Sequence, residues 1–195
     1  EWALQVALAG RRDRDAMRLL TRTGETLHEI EFVSTFPEPT SLLSHRVVGN
    51  VGYIRIHNSL GQQALVQAFD QAILEMPGVQ ALVIDLRDTP SGGNSSVARG
   101  IMGRLIDRTL PYQRHELVSE SRSTGIRRVW VEYVTPRNSP FLKPVIVLVG
   151  PWTGSMGEGL AIGVNATRGS PVLGLPMAHL LGANGETALP YSKIV

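Results

Sequence analysis

Val83-Ile84-Asp85-Leu86-Arg87-Asp88-Thr89-Pro90-Ser91-Gly92-Gly93 is the stretch that decides the architecture. Its first half closes a nearly unbroken apolar run, Ala81 to Leu86, which reads as a buried strand. Its second half is a glycine-containing loop, Asp88 to Asn94. Ser95 to Ile106 then carries Val97, Ile101 and Leu105 in helical register. The same order returns downstream. Pro144 to Val149 is a second buried strand, Gly150 to Gly154 a loop, and Ser155 opens a helix. Upstream, Val51 to His57 reads as a strand. Ser59 with Gln62 reads as a capping box for a helix that places Leu65, Phe69, Ala72, Ile73 and Met76 on one face and stops at Pro77-Gly78. Residues 108–140 are less regular, with one strand expected from Arg127 to Val134, and Val172 to Gly174 is a short strand. This β-α-β-α order predicts an α/β domain with a largely parallel sheet. Right-handed crossovers would put both glycine loops on one edge, where such folds bind ligands.

Outside this core the signals are weaker. Residues 1–32 read as a small β-rich segment, with apolar stretches at Trp2–Leu8, Met17–Leu20 and Leu27–Phe32. Residues 33–46 carry Pro37, Pro39 and several serines and threonines, and read as a linker. Residues 47–195 form the α/β core. No basic n-region with an apolar stretch precedes the first strand, so the chain is expected to begin inside a larger protein.

Composition excludes several function classes. There is no cysteine, hence no thiol nucleophile, disulfide or cysteine-held metal. The net charge is +2, and its arginines are scattered, with no clustered basic face for nucleic acid. The longest apolar run, Val145 to Val149, is too short to span a bilayer.

Gly154-Ser155-Met156-Gly157-Glu158 puts a serine at a strand-to-helix junction. The free amides and positive partial charge of a helix start can stabilise the oxyanion formed when a serine attacks a carbonyl. A serine there can equally be an ordinary N-cap. Ser91-Gly92-Gly93-Asn94 allows backbone to approach a substrate, or is simply a turn before a helix. Neither segment decides the matter alone.

Together they are specific. Val83 to Gly93 resembles the D-L-R-x-N-x-G-G segment of C-terminal-processing (tail-specific) serine peptidases. Pro144 to Glu158 resembles their second signature, an apolar strand, a short loop, then S-x-x-E. Val172-Leu173-Gly174 is similar to their V-x-G strand, and Gly49 to Ile56 to their G-x-I-G-Y-I opening. The resemblance implies a Clp-protease/crotonase-like catalytic core, with residues 1–32 as the end of a PDZ-like domain. It implies Ser155 as the acylated nucleophile and the Gly93 and Met156 amides as oxyanion hole. A side chain at Gly93 would then cost turnover with little loss of folding.

The chain departs from that pattern at the base. Most members activate the serine with a lysine in G-x-x-T-x-G-K-G. Here Gly174 to Gly182 occupies the stretch, and the lysine slot falls on Leu180. Lys143 precedes the strand leading to Ser155, and Lys193 lies beyond the last matched motif. The tricorn-protease branch uses a histidine just before the G-x-I-G-Y-I strand, a neighbouring serine and a distant glutamate. By that likeness His45 is the candidate base and Ser44 its support. His179, beside the vacated slot, is the alternative base. His28, His57 and His115 read as structural or exposed. The glutamate of that branch would fall past Val195, so the core is expected to be truncated; Glu186 does not match its position.

The expected function is a serine-type endopeptidase acting on unfolded or C-terminal protein segments, extracytoplasmic (periplasmic or secreted) in a bacterium. Its partner is a protein or peptide substrate, with no nucleic acid and no transmembrane segment; oligomerisation is left open. No cofactor or metal is called for. The alternatives are a crotonase-like acyl-CoA enzyme, which needs no serine nucleophile, and a non-catalytic peptide-binding descendant.

Overall fold

The computed structural model describes residues 16–33, 41–137, 139–180 and 182. The chain divides into two compact units, residues 1–40 and 41–195. The strand expected at Trp2–Leu8 lies outside the described residues. In the first unit β1 (Ala16–Thr23) pairs antiparallel with β2 (Thr26–Val33), in register from Ala16↔Val33 to Thr23↔Thr26. Gly24, in the two-residue connection, has φ 63, which costs glycine no Cβ clash.

The second unit runs β3 (Leu43–Val48), β4 (Val51–Ile56), α1 (Ala64–Leu74), β5 (Ala81–Asp85), α2 (Ser95–Gly103), β6 (Leu110–Glu116), α3 (Val118–Thr124), β7 (Val129–Val134), β8 (Val145–Val149), α4 (Met156–Arg168) and β9 (Val172–Gly174). Five strands form one sheet in the order β3-β4-β5-β8-β9. β3 runs antiparallel to β4, and the other three pairings are parallel. β6 and β7 make a separate antiparallel hairpin whose register shifts between Pro111 and Gln113. The expected α/β architecture with a mostly parallel sheet, preceded by a small β-rich piece, is the one observed.

Alternate strand residues supply the core. Ile54 and Ile56 of β4, Leu82 and Ile84 of β5, and Val145, Val147 and Val149 of β8 are buried with Leu65 and Phe69 of α1, Val97 and Ile101 of α2, and Leu160 and Val164 of α4. Each large apolar side chain fully withdrawn from water contributes about 1.5–3 kcal/mol. Val83, Ile146 and Leu148, one residue out of phase, are only half-buried. β5 and β8 therefore have one well-covered face, not the two that their apolar composition suggested.

Three local readings differ from the structure. Ser59 and Gln62 form no capping box. Ser59 is buried, its hydroxyl donates to the Leu42 carbonyl at 2.6 Å, and the Gln62 amide closes a turn on the Ser59 carbonyl at 2.8 Å. The helix starts later, at Ala64. β6 went unread because Tyr112-Gln113-Arg114-His115-Glu116 has no apolar alternation and a bulge breaks its period. β3 begins at Leu43, inside the stretch read as linker, because an edge strand with an exposed face needs few apolar residues.

Candidate active site

β5 and β8 are parallel neighbours, so the loops that follow them leave the same edge of the sheet. Two threonines tie these loops together. The Thr89 and Thr153 hydroxyls both donate to the Leu86 carbonyl, each at 2.8 Å. The Gly150 amide donates to Thr153 Oγ1 at 3.0 Å, and the Gly154 amide to the Thr89 carbonyl at 3.2 Å. Both threonines are fully buried, so these bonds stand in place of water. Gly157 must lack a side chain here, since a Cβ would lie 2.4 Å from Thr89 Oγ1.

Ser155 stands at the junction of the β8 loop and α4, with φ 49 and ψ −114. A plain N-cap serine keeps an extended backbone. A positive φ at a non-glycine residue stores strain of order 1–3 kcal/mol, and such strain gathers at functional positions. A serine on a sharp strand-to-helix turn presents its hydroxyl outward at the sheet edge. Ser155 is also the N-cap of α4, in a capping box with Glu158, so the same residue is cap and candidate nucleophile.

The loop after β5 comes against the serine. A Cβ on Gly92 would sit 2.5 Å from Ser155 Cβ, 2.8 Å from its Oγ and 3.0 Å from the Met156 nitrogen. The Gly92 amide is committed to the Thr89 carbonyl at 3.3 Å and the Asn94 amide to the Leu60 carbonyl at 3.2 Å. Among the described residues, neither the Gly93 nor the Met156 amide has a hydrogen-bond partner. Gly93 is also tightly hemmed in: a Cβ there would lie 2.2 Å from the Leu60 carbonyl carbon. A side chain at 93 would thus disturb the fold itself, contrary to the sequence expectation.

Glu158, in the first turn of α4, is buried. Its Oε1 accepts from the Ser155 amide at 3.3 Å and the Leu180 amide at 2.7 Å. A carboxylate at a helix start is favoured by the helix dipole. Here it also fastens the segment carrying Leu180 to the serine's own turn.

Ser155, Gly93, Met156, Glu158 and Leu180 line one cleft of about 600 Å³. The β6 strand lines the same cleft through Tyr112, Gln113, Arg114 and His115. Burial, with the Glu132 charge adding to it, pushes the Tyr112 hydroxyl well above the ordinary tyrosine range, so it stays a neutral donor. It donates to Met156 Sδ at 3.4 Å.

The histidines are distributed unevenly. His45 Nε2 lies 3.0 Å from Glu75 Oε2, beyond the end of α1. Ser44 Oγ is 3.0 Å from His57 Nε2, and His57 Nδ1 is 3.5 Å from Asp88 Oδ2. Ser44 pairs with Arg55 and His45 with Ile54, so as strand neighbours they point to opposite faces of the sheet. Neither lines the cleft. His179 is exposed, with φ 63, beside Leu180. Lys143 is spent on the Val79 carbonyl at 2.6 Å, and Lys193 and Glu186 lie outside the described residues. His115, read from the sequence as structural or exposed, lines the cleft. Its only sequence signal was a histidine in a strand that lacked a strand's pattern.

Below the site, buried Asp85 anchors the end of β5. Its carboxylate accepts from Arg87 Nε at 2.9 Å, Arg87 Nη2 at 2.8 Å and the Arg87 amide at 3.0 Å, and from the Tyr53 hydroxyl. Burial alone would raise its pKa, but the Arg87 and Tyr53 hydrogen bonds outweigh it and hold the carboxyl at about 2. The D-L-R segment thus fixes the strand from which the Gly92-Gly93 loop departs.

Comparison with known proteins agrees with this geometry. The family model for peptidase family S41 matches residues 50–195. A search of curated proteins finds no match. Among solved structures, mature CPAF is similar with a TM-score of 0.62 and 14% identity, over 92% of this chain and 57% of that one. The photosystem II D1 C-terminal processing protease is similar with a TM-score of 0.57 and 16% identity, over 82% of this chain and 43% of that one. A lipoprotein from Streptococcus agalactiae has a TM-score of 0.55 and 16% identity, over 77% of this chain and 55% of that one. The chain thus spans about half the length of these structures. The tied glycine loops, the strained serine and the matched residues lead to one conclusion: this chain belongs to peptidase family S41.

Proposed function

We propose that this chain carries the catalytic core of a serine-type endopeptidase, with Ser155 as nucleophile. The observation that carries the reading is Ser155 at positive φ on the β8–α4 turn, with Gly92 packed against it. The Gly93 and Met156 amides are the oxyanion donors: both belong to residues lining the serine's cleft. Ser155 Oγ adds to the scissile carbonyl, the C–N bond breaks, and water then releases the acyl-enzyme.

The substrates on this reading are unfolded or C-terminal protein segments, a class supported by the likeness to a C-terminal processing protease. An extracytoplasmic site of action is supported by the likeness to a lipoprotein. No helix among the described residues is long and apolar enough to cross a membrane. The sequence likeness makes His45, with Ser44, the base, and His179 the alternative. Ser44 and His45 would have to leave their present partners to serve.

The test is covalent labelling. A fluorophosphonate should modify Ser155, seen by peptide mass spectrometry, and Ser155→Ala should abolish both labelling and peptide cleavage. Peptide turnover that survives in Ser155→Ala would sink the assignment. Turnover of an acyl-CoA thioester by that variant would favour a crotonase-like enzyme. Peptide binding with neither labelling nor turnover in the wild type would favour a peptide-binding descendant.

A further inference from the structure

We infer that His115, oriented by Glu132, is the general base that serves Ser155. This rests on the reading of Ser155 as nucleophile and adds the residue which that reading lacks. All five histidines of the chain are described, and His115 alone lines the cleft that holds Ser155.

The β6 strand brings it there. Gly159, one helical turn beyond Ser155, is bare because a Cβ would lie 2.8 Å from the Tyr112 hydroxyl and 2.9 Å from Gln113 Nε2. β6 is therefore packed on the first turns of α4. Gln113 pairs with Glu132 and His115 with Trp130, so the bulge is already past and the two residues share a strand face. They are about 7 Å apart along the strand. The ring therefore lines the same cleft as the Ser155 hydroxyl.

The environment of His115 suits a base. Its ring stacks on Trp130, with centroids 5.2 Å apart and planes 14° apart, which fixes the ring plane. Its Nε2 lies 3.7 Å from Glu132 Oε2. Both atoms are buried and neither has a hydrogen-bond partner, so a small closing movement satisfies both. Glu132 is itself held: Ser95 Oγ donates to its Oε1 at 3.1 Å, and Arg99 Nε lies 3.8 Å from its Oε2. Ser95 follows directly on the Gly92-Gly93 loop, so nucleophile, oxyanion loop and Glu132 belong to one connected structure. An Nε2–H turned to Glu132 leaves Nδ1 as the proton acceptor. Geometry in an unliganded cleft is commonly looser than in the substrate complex.

The steps balance without a cofactor. His115 takes the Ser155 proton as Oγ bonds to the carbonyl carbon, and the carbonyl electron pair moves to the oxygen facing the Gly93 and Met156 amides. Collapse breaks the C–N bond, and the imidazolium proton goes to the leaving amine. Water repeats the sequence: its proton goes to His115, its oxygen to the acyl carbon, and the proton finally returns to Ser155. The sum is one peptide bond and one water converted to an acid and an amine.

Charged groups surround His115. Glu132 and Arg99 face it from β7 and α2, Arg114 and Glu116 flank it on β6, and Glu158 lines the same cleft. Glu132→Gln keeps the size of the side chain and removes the carboxylate that orients the ring, so kcat should fall with KM little changed.

The experiment compares the wild-type chain with His115→Ala, His115→Gln, Glu132→Gln and His45→Ala, using a peptide substrate and a fluorophosphonate. The expected result is a loss of about 100-fold or more in kcat for both His115 variants, with Ser155 labelling slowed in parallel. Free imidazole should restore part of the His115→Ala rate, which a misfolded variant could not show. Wild-type turnover in either His115 variant overturns the proposal. So does a dead His45→Ala beside an active His115→Gln, which returns the base to His45 and leaves Ser155 standing. An unchanged kcat in Glu132→Gln removes Glu132 from the proposal. Failure of the Ser155 reading is separate: it appears as cleavage that survives Ser155→Ala.

Discussion

Gly92 and Ser155 touch without a side chain between them: a Cβ on Gly92 would lie 2.5 Å from Ser155 Cβ and 2.8 Å from Ser155 Oγ. Contact this close between the Gly92 backbone and the Ser155 side chain lets one loop set the position of the hydroxyl.

Gly92→Ala should therefore harm catalysis more than folding. Gly92 has φ 68, where alanine costs about 1–2 kcal/mol. The new methyl must also push Ser155 aside. Misplacing a reacting group by about 1 Å can cost 100-fold, so a loss on the order of 100-fold in kcat/KM is expected. Steady-state kinetics paired with urea unfolding measures both. A folded Gly92→Ala with unchanged turnover would contradict the packing.

Glu158→Ala tests the tie between α4 and the Leu180 segment. Its Oε1 accepts from the Ser155 and Leu180 amides, and hydrogen bonds to a buried charged group are each worth about 1.5–3 kcal/mol. The variant should lose about 2 kcal/mol or more of stability, and the Leu180 amide should exchange with solvent faster. Hydrogen-exchange mass spectrometry reads this directly. Unchanged protection at Leu180 would mean that the carboxylate does not hold it.

How far the sequence led can be seen in these same residues. β5 and β8 were legible because Ala81 to Leu86 and Pro144 to Val149 are continuous apolar runs before glycine loops. Ser155 was legible through its position between strand and helix. His115 was not. β6 is polar and bulged, and its nearness to Ser155 comes from packing on bare Gly159, which spacing along the chain cannot express. Ser44 and His45 are adjacent in sequence, yet strand alternation sends them to opposite faces. The Gly93 clash with Leu60 is likewise a contact between segments over thirty residues apart.

Gly93→Ala follows from that clash. The obstacle is the Leu60 backbone, 2.2 Å from the missing Cβ, and backbone cannot swing aside as a side chain can. Overpacking of this kind costs about 1–3 kcal/mol, and the Asn94–Leu60 hydrogen bond should go with it. The variant should unfold at lower urea concentration and cleave poorly. Wild-type stability in Gly93→Ala would mean that the two loops are farther apart than described.

Asp85→Asn should weaken the molecule in a pH-dependent way. The folded carboxyl titrates at about 2, against an ordinary value of 3.8, because Arg87 and Tyr53 hydrogen bonds outweigh burial. A depressed carboxylate stabilises the fold above its unfolded pKa and loses that contribution as pH falls toward its folded one. The shift corresponds to about 2 kcal/mol, fully present above about pH 5 and fading between about pH 4 and pH 2. Asparagine cannot carry the charge that Arg87 meets. Urea unfolding at neutral pH should show the variant about 2 kcal/mol less stable than wild type, with the gap narrowing as both are taken down toward pH 2. Loosening Asp85 also loosens the strand end that launches the Gly92-Gly93 loop, so turnover should fall at neutral pH as well. A stability gap that stays constant from neutral to acid pH would show that the charge of Asp85 is not what anchors β5.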